Sequence, residues 1–204
     1  MEYYELHPVT PQLRFINKAV EVLKNGGVII YPTDTVYGIG CDIYNKEALE
    51  RVYDIKHEAG TKLFSFICPD LKDIAKYAKV SDYAYKSMKK HLPGPYTFVL
   101  PAAKEVPKKL WTKRNTVGIR VPNHAVAILL AKELGNPIVS TSVTKRNGDP
   151  LYDPLEIQAI FNSQVDLMLA TGALEGIPSS IIDLSGEGAE IIREGAGDVS
   201  AFVD

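Results

Sequence analysis

"VIIYPTDTVYG", residues 28–38, runs from three β-branched apolar residues into two threonines, an aspartate and a glycine. A short apolar run bounded by turn residues predicts a buried strand, so this stretch reads as a strand opening into a loop. Two further segments share the design: "PIVSTSVTKRNG" at 137–148 and "GIPSSIIDL" at 176–184. In open α/β sheets ligands bind just beyond strand ends. Hydroxyls placed there hold carboxylates or phosphates without a costly buried charge. Taken singly, each segment is more commonly a turn or a helix cap. Arg120, after "TVGI", and Arg193, after "EII", add planar forks that match such anions. Together the three loops and two arginines predict a binding cavity. Gly38 and Gly40 are expected to let the backbone turn close to it.

Outward from this stretch, strands and helices alternate. A first helix is expected from Thr10 as its cap and Pro11 in its first turn to Gly26, with Leu13, Ile16, Val20 and Leu23 toward the core. Asn45 opens a second, carrying Ala48, Leu49 and Val52 on one face. "LKDIAKYAKVSDYAYKSMKKHL", interrupted near Ser81, "HAVAILLAKEL", closed by Gly135, and "PLEIQAIF" also read as helical. "KLFSFICPD", "PYTFVLPA", "TVGIRVP", "PIVSTSV", "VDLMLATG", "SSIIDLS" and "EIIREG" read as strands. The alternation places the chain in the α/β class. The β-branched strands near its end predict some antiparallel pairing, hence a mixed sheet. No composition break marks a linker, so residues 1–204 are expected to form one domain.

Hydrophobic residues make up 46% of the 204 and charged residues 24%, an ordinary globular balance. The net charge of −2 hides a segregation. Nine Lys/Arg face one acid between Lys86 and Arg120, whereas eleven Asp/Glu face Arg193 alone from Asp149 onward. Two readings stay open: a positive face that attracts phosphates or nucleic acid, or lysines solvated all around the fold. Cys41 and Cys68 make no disulfide framework, and no cationic and apolar leader opens the chain, so a cytoplasmic protein is expected. No run reaches the ~18 apolar residues of a membrane span. The four scattered histidines lack metal spacing, and no structural metal is expected. Phosphate-loop, dinucleotide and nucleophile-elbow motifs are absent. Asp34 and Asp42 remain open as paired carboxylates, with a turn-capping role favoured for Asp34.

Read in order, "YPTDTVYGIGCD", "LPGPYTFVLP", "TVGIRVPNH", "PIVSTSV", "PSSIIDL" and "IIREGAGD" resemble the YrdC/YciO family from about residue 12 to residue 200. The resemblance implies a twisted mixed α/β sheet with a large, positively charged cavity on one face. Best-known members are threonylcarbamoyl-AMP synthases, which join threonine, bicarbonate and ATP for tRNA modification; others are described as RNA-binding. It implies contacts to the threonine moiety from Thr35, Arg120, Ser140 and Ser179, with Ser180 as the alternative to Ser179. Lys56, Thr116, Ser142 and Arg193 fall at nucleotide-binding positions.

Departures from the family pattern are specific. Glu58 stands where the arginine of K-x-R is expected, and Lys62 where an asparagine follows it. Ile67 or Cys68 replaces a histidine, and Ser142-Val143-Thr144 lacks the asparagine of S-x-N. This mixture is similar to the YciO branch, and with Asp204 as the last residue the additional domain of longer synthases is not expected. Arg replaced by Glu beside a triphosphate shifts the local charge by two units, each about 4 kcal/mol at ~4 Å and a dielectric near 20. Lys62 returns one unit but no bidentate fork. ATP-dependent synthesis is therefore expected to be weakened, while a site for threonylcarbamoyl-AMP is less affected. Synthase and adenylate-hydrolase activities both stay open, as does a need for magnesium. The alternative expectation is a non-catalytic protein binding tRNA or double-stranded RNA, with a rim of Lys108, Lys109, Lys113 and Arg114.

Overall fold

In a computed structural model, residues 1–56, 64–72, 74–107, 110 and 114–203 are described. Among them ten strands form one mixed sheet: β1 Glu2–Glu5, β2 Ile29–Tyr31, β3 Gly38–Asp42, β4 Ser65–Ile67, β5 Tyr96–Pro101, β6 Thr116–Arg120, β7 Ile138–Ser142, β8 Leu167–Ala170, β9 Ser180–Asp183 and β10 Glu190–Arg193. The five α-helices are α1 Leu13–Lys24, α2 Lys46–Ile55, α3 Asp82–His91, α4 Ala125–Leu134 and α5 Pro154–Phe161. The strand order is β1-β8-β2-β3-β7-β4-β6-β5-β9-β10. Pairings β1–β8, β8–β2, β4–β6 and β5–β9 are parallel, and the other five are antiparallel. The chain is therefore mixed α/β, with β9–β10 among the antiparallel pairs.

Local chemistry accounts for several helix ends. Asn45 accepts from the N–H of Ala48, Ser81 from Ala84 and Asp153 from Leu155, so α2, α3 and α5 each begin on a side-chain cap. Gly135 closes α4 with φ of 83°, a left-handed conformation that costs glycine nothing. The start of α1 differs from expectation. Its N-cap position is Gln12, which makes no capping bond, and Thr10 instead bonds the Nδ1 of His7 through its N–H and hydroxyl. Leu13, at the first turn, is 57% exposed, while Ile16, Ala19, Val20 and Leu23 are buried.

Two strands escaped the sequence reading. β1, "EYYE", is an edge strand with no apolar run. β3 was expected as a glycine turn, yet Gly38 and Gly40 are extended residues paired with both β2 and β7. Neither has a positive φ. Their role is close approach: a Cβ on Gly40 would lie 2.6 Å from the carbonyl oxygen of Val139.

Strand periodicity separates two environments across the sheet. On one face Ile39, Val139, Phe66, Ile119, Phe98 and Ile182 join a core beneath α2, α3 and α5. On the other, Ile29, Tyr31, Ile138, Leu167 and Leu169 pack under the apolar stripes of α1 and α4. Those two helices pack on each other and reach β8, β2, β3 and β4. The rest of that face carries small and hydroxyl side chains together with Ile67, Val99, Ile181 and two arginines.

Candidate functional site

A cavity of about 400 Å³ opens on this second face, and none of its described lining residues comes from a helix. That volume falls within the ~300–1,000 Å³ common for small-molecule sites. Its floor follows the pleat. Ser140 and Ser142 of β7, Ser65 and Ile67 of β4, Gly118 and Arg120 of β6, Thr97 and Val99 of β5 all alternate onto it. Cross-strand register places them side by side: Ser65 opposite both Ser140 and Gly118, and Val99 opposite Gly118. Thus the cavity lies across the sheet face, where the sequence suggested a position beyond the strand ends. The three hydroxyl segments do meet there, through Thr33, Ser140, Ser142, Thr144 and Ser179, with both Arg120 and Arg193.

Arg120 is the buried charge of the site. Its Nη2 donates to Asp34 Oδ1 at 2.6 Å, Thr35 Oγ1 at 2.7 Å and Thr33 Oγ1 at 3.2 Å. The ion pair is nearly out of solvent, with side-chain exposures of 8% and 10%. Asp34 Oδ2 also accepts the N–H of Asn123, which ties the loop to the end of β6. By contrast the Nε–H of Arg120, fully buried, has no acceptor. A buried unsatisfied donor costs about 1–3 kcal/mol, more when charged.

Arg193 enters from β10 and donates through Nε and Nη2 to the carbonyl oxygen of Ser179, at 3.0 and 2.7 Å. Burial depresses its pKa, and the positive charge of Arg120 depresses it further. Burial is the larger cause and repulsion from Arg120 the smaller, as expected of two cations sharing one cavity. Among the described lining residues there are two arginines and no carboxylate. The electrostatics thus call for an anion.

Other expected residues distribute unevenly. Ser179 lines the cavity and shares a 3.0 Å hydrogen bond with Thr97, whereas Ser180 donates to the carbonyl of Gly197 and accepts from Gly195, a structural role. Lys56 donates to the carbonyl of Ser142 at 3.0 Å and to Thr144 Oγ1 at 2.5 Å, which ties the end of α2 to the end of β7. Thr35 sits behind the described lining with its hydroxyl on Arg120. Thr116 is buried at the start of β6, on the cavity face but outside the described lining. Arg114 is exposed; Glu58, Lys62, Lys108, Lys109 and Lys113 lie outside the described residues. Ile67 is in the lining, and Cys68 is not.

Thr33, Ser65 and Thr97 were missed from sequence. A usable signal existed for two of them: Ser65 and Thr97 are lone hydroxyls alternating with aromatics in "FSF" and "YTF", marking a polar face on an otherwise apolar strand.

Comparison with known proteins agrees with this fold. The protein YciO of Escherichia coli K12 is 41% identical over 204 residues, covering 99% of both chains, and the crystal structure of E. coli YciO superposes over the full length with a TM-score of 0.95. A threonylcarbamoyl-AMP synthase of Coxiella burnetii is 34% identical over 155 residues, 76% of this chain and 83% of the relative. Sua5 of P. abyssi, crystallised with L-threonine, shares the fold at 23% identity and a TM-score of 0.90 over 96% of this chain and 58% of its own. Residues 21–195 match the Sua5/YciO/YrdC family model, which is described as telomere recombination. The chain belongs to the Sua5/YciO/YrdC family.

Proposed function

We propose that the cavity binds an acyl-adenylate of the threonylcarbamoyl-AMP type, with Arg120 receiving the carboxylate of the threonine moiety and Arg193 facing the nucleotide. The observation that carries this reading is the pairing of two guanidiniums, Arg120 and Arg193, with hydroxyl side chains in one cavity whose described lining holds no carboxylate. The threonine bound to Sua5 and the synthase named among the relatives support the same ligand class. Thr35 acts by fixing Arg120, and Ser140 and Ser179 contact the threonine end. Lys56, Ser142 and Thr116 serve the nucleotide end. There Thr144 and Ser142 together seat the Lys56 ammonium.

A two-arm assay tests this. One arm supplies ATP, threonine, bicarbonate and magnesium; the other supplies preformed threonylcarbamoyl-AMP. Binding in the second arm, with slow or no pyrophosphate release in the first, is the expected result. Turnover of the adenylate above its spontaneous rate identifies a hydrolase, and rapid pyrophosphate release identifies a synthase. Failure to bind the adenylate at all overturns the reading. Arg120→Lys, which keeps the charge beside Asp34 but loses the fork, weakens adenylate binding about tenfold or more, equivalent to ~1.4 kcal/mol. It is the safer probe than Arg120→Ala, which strands Asp34 in a buried site.

A second reading is RNA binding, favoured by the exposed Lys86, Lys89 and Lys90 on α3. Its contacts would be to phosphates and steeply salt-dependent.

A further inference from the structure

Tyr31 is wholly buried under α1 and α4, and it does not line the cavity. Its phenol nevertheless ends at the cavity floor. From β2 the side chain reaches past β3 to β7, where its hydroxyl donates to Ser140 Oγ at 2.7 Å. Passage over β3 is possible because the residue paired with Tyr31 is Gly38. A Cβ at Gly38 would stand 2.9 Å from Ser140 Oγ and 3.1 Å from the phenol carbon Cζ, directly against this hydrogen bond. Gly38 is thus a gap that admits the contact.

Hydrogen-bond directions follow from counting protons. The phenol of Tyr31 has one proton, and Ser140 Oγ is its partner in the structure. Burial raises the Tyr31 pKa far above neutrality, so the phenol stays protonated and donates. Leaving it unsatisfied in the core would destabilise the fold. Ser140 Oγ therefore accepts from Tyr31 and must direct its own single proton elsewhere. Within the protein that proton meets the carbonyl oxygen of Ile39 at 3.4 Å, a long contact. An acceptor atom in the cavity offers it a better one.

We infer that Tyr31 is a positioning residue: through the gap at Gly38 it fixes Ser140 as a hydrogen-bond donor, so the cavity's ligand presents an acceptor oxygen to Ser140. This deepens the adenylate reading and rests on it for the identity of the ligand. The chemical class at this point is a carbonyl, carboxylate or phosphate oxygen. A ligand ammonium, which can only donate, would have to use the second lone pair of Ser140 Oγ and would leave the serine proton on its long contact to Ile39.

Two measurements test it on the full chain. In the first, affinity for threonylcarbamoyl-AMP is measured for Tyr31→Phe, Ser140→Ala and the double variant. Ser140→Ala is expected to weaken binding about tenfold, and Tyr31→Phe by about three- to tenfold, the range of one hydrogen bond. Because Tyr31 acts only through Ser140, the double variant binds no more weakly than Ser140→Ala. A mere packing role for Tyr31 would make the two losses multiply, and that outcome overturns the inference, as does full affinity in Tyr31→Phe. The second measurement needs no ligand. Proton NMR of the free protein should show a slowly exchanging phenol proton that disappears in Tyr31→Phe and shifts in Ser140→Ala. If the wild type binds no adenylate but this proton behaves as described, the adenylate reading fails and the oriented Ser140 stands. If the proton exchanges freely, the inference fails whatever binds.

Discussion

His124 shows how one side chain can connect the site to the stability of the fold. It sits at the N-cap of α4, where its Nδ1 accepts the N–H of Val126 at 3.3 Å. Burial lowers its pKa from 6.5, and the nearby Asp34 carboxylate opposes that shift only in part. The neutral imidazole is thus the form the fold prefers. Above 6.5 the folded and unfolded chains are both neutral at this position. As pH falls below 6.5 the unfolded chain takes up the proton first, so stability declines until the folded histidine titrates as well. Asn at this position would keep an acceptor for the cap without titrating. His124→Asn is therefore expected to flatten the fall of Tm between roughly pH 7 and pH 5. Parallel pH profiles for wild type and variant would show no difference in slope if His124 were not responsible.

At the scale of elements, the contrast between α1 and α2 separates a sequence signal from its execution. Both helices follow a residue with good capping chemistry, Thr10 and Asn45. Asn45 accepts the Ala48 N–H at 2.8 Å, while Thr10 is drawn away by His7. Asn45→Ala should therefore lower stability by about 1 kcal/mol, read from urea denaturation, and Thr10→Ala should not act through loss of a cap. Equal losses would mean that Thr10 caps α1 in solution. β3 teaches a related lesson. "YGIGCD" looked like a turn because its glycines are frequent in turns, yet it is a central strand buried on both faces. Glycine is required there by the neighbouring strands, which approach too closely for a Cβ. Such a requirement depends on β2 and β7 being present, and β7 lies a hundred residues away in the chain.

Across the whole molecule, the sheet divides the basic sequence run that suggested a nucleic-acid surface. Arg120 points into the cavity, but α3, with Lys86, Lys89 and Lys90, packs through Ala84 and Met88 into the core on the opposite face. The two groups are separated by the sheet and by a helix about 10 Å across. That exceeds the screening length of ~8 Å at physiological salt. Changing Lys86, Lys89 and Lys90 together to Glu should leave adenylate affinity within about twofold of wild type, while any low-salt RNA binding through α3 is lost. A large loss of adenylate affinity in this variant would mean that the charges act on the cavity as a single field.

The sequence by itself determined the α/β class, the order of nearly all the elements and the family, because these depend on local periodicity and on short contiguous motifs. It also picked out Arg120, Ser140, Ser142, Ser179 and Arg193, whose side chains line the cavity. The tertiary structure alone decided where they meet: across six neighbouring strands, on the portion of one sheet face from which helix side chains are absent. Strand order and register made that choice, and they couple residues such as Tyr31 and Ser140 that are 109 positions apart. No local pattern encodes which distant strand will lie alongside. For the same reason the threonine most prominent in the opening motif, Thr35, proved to hold Arg120 from behind, while Thr33, two residues earlier, reached the cavity.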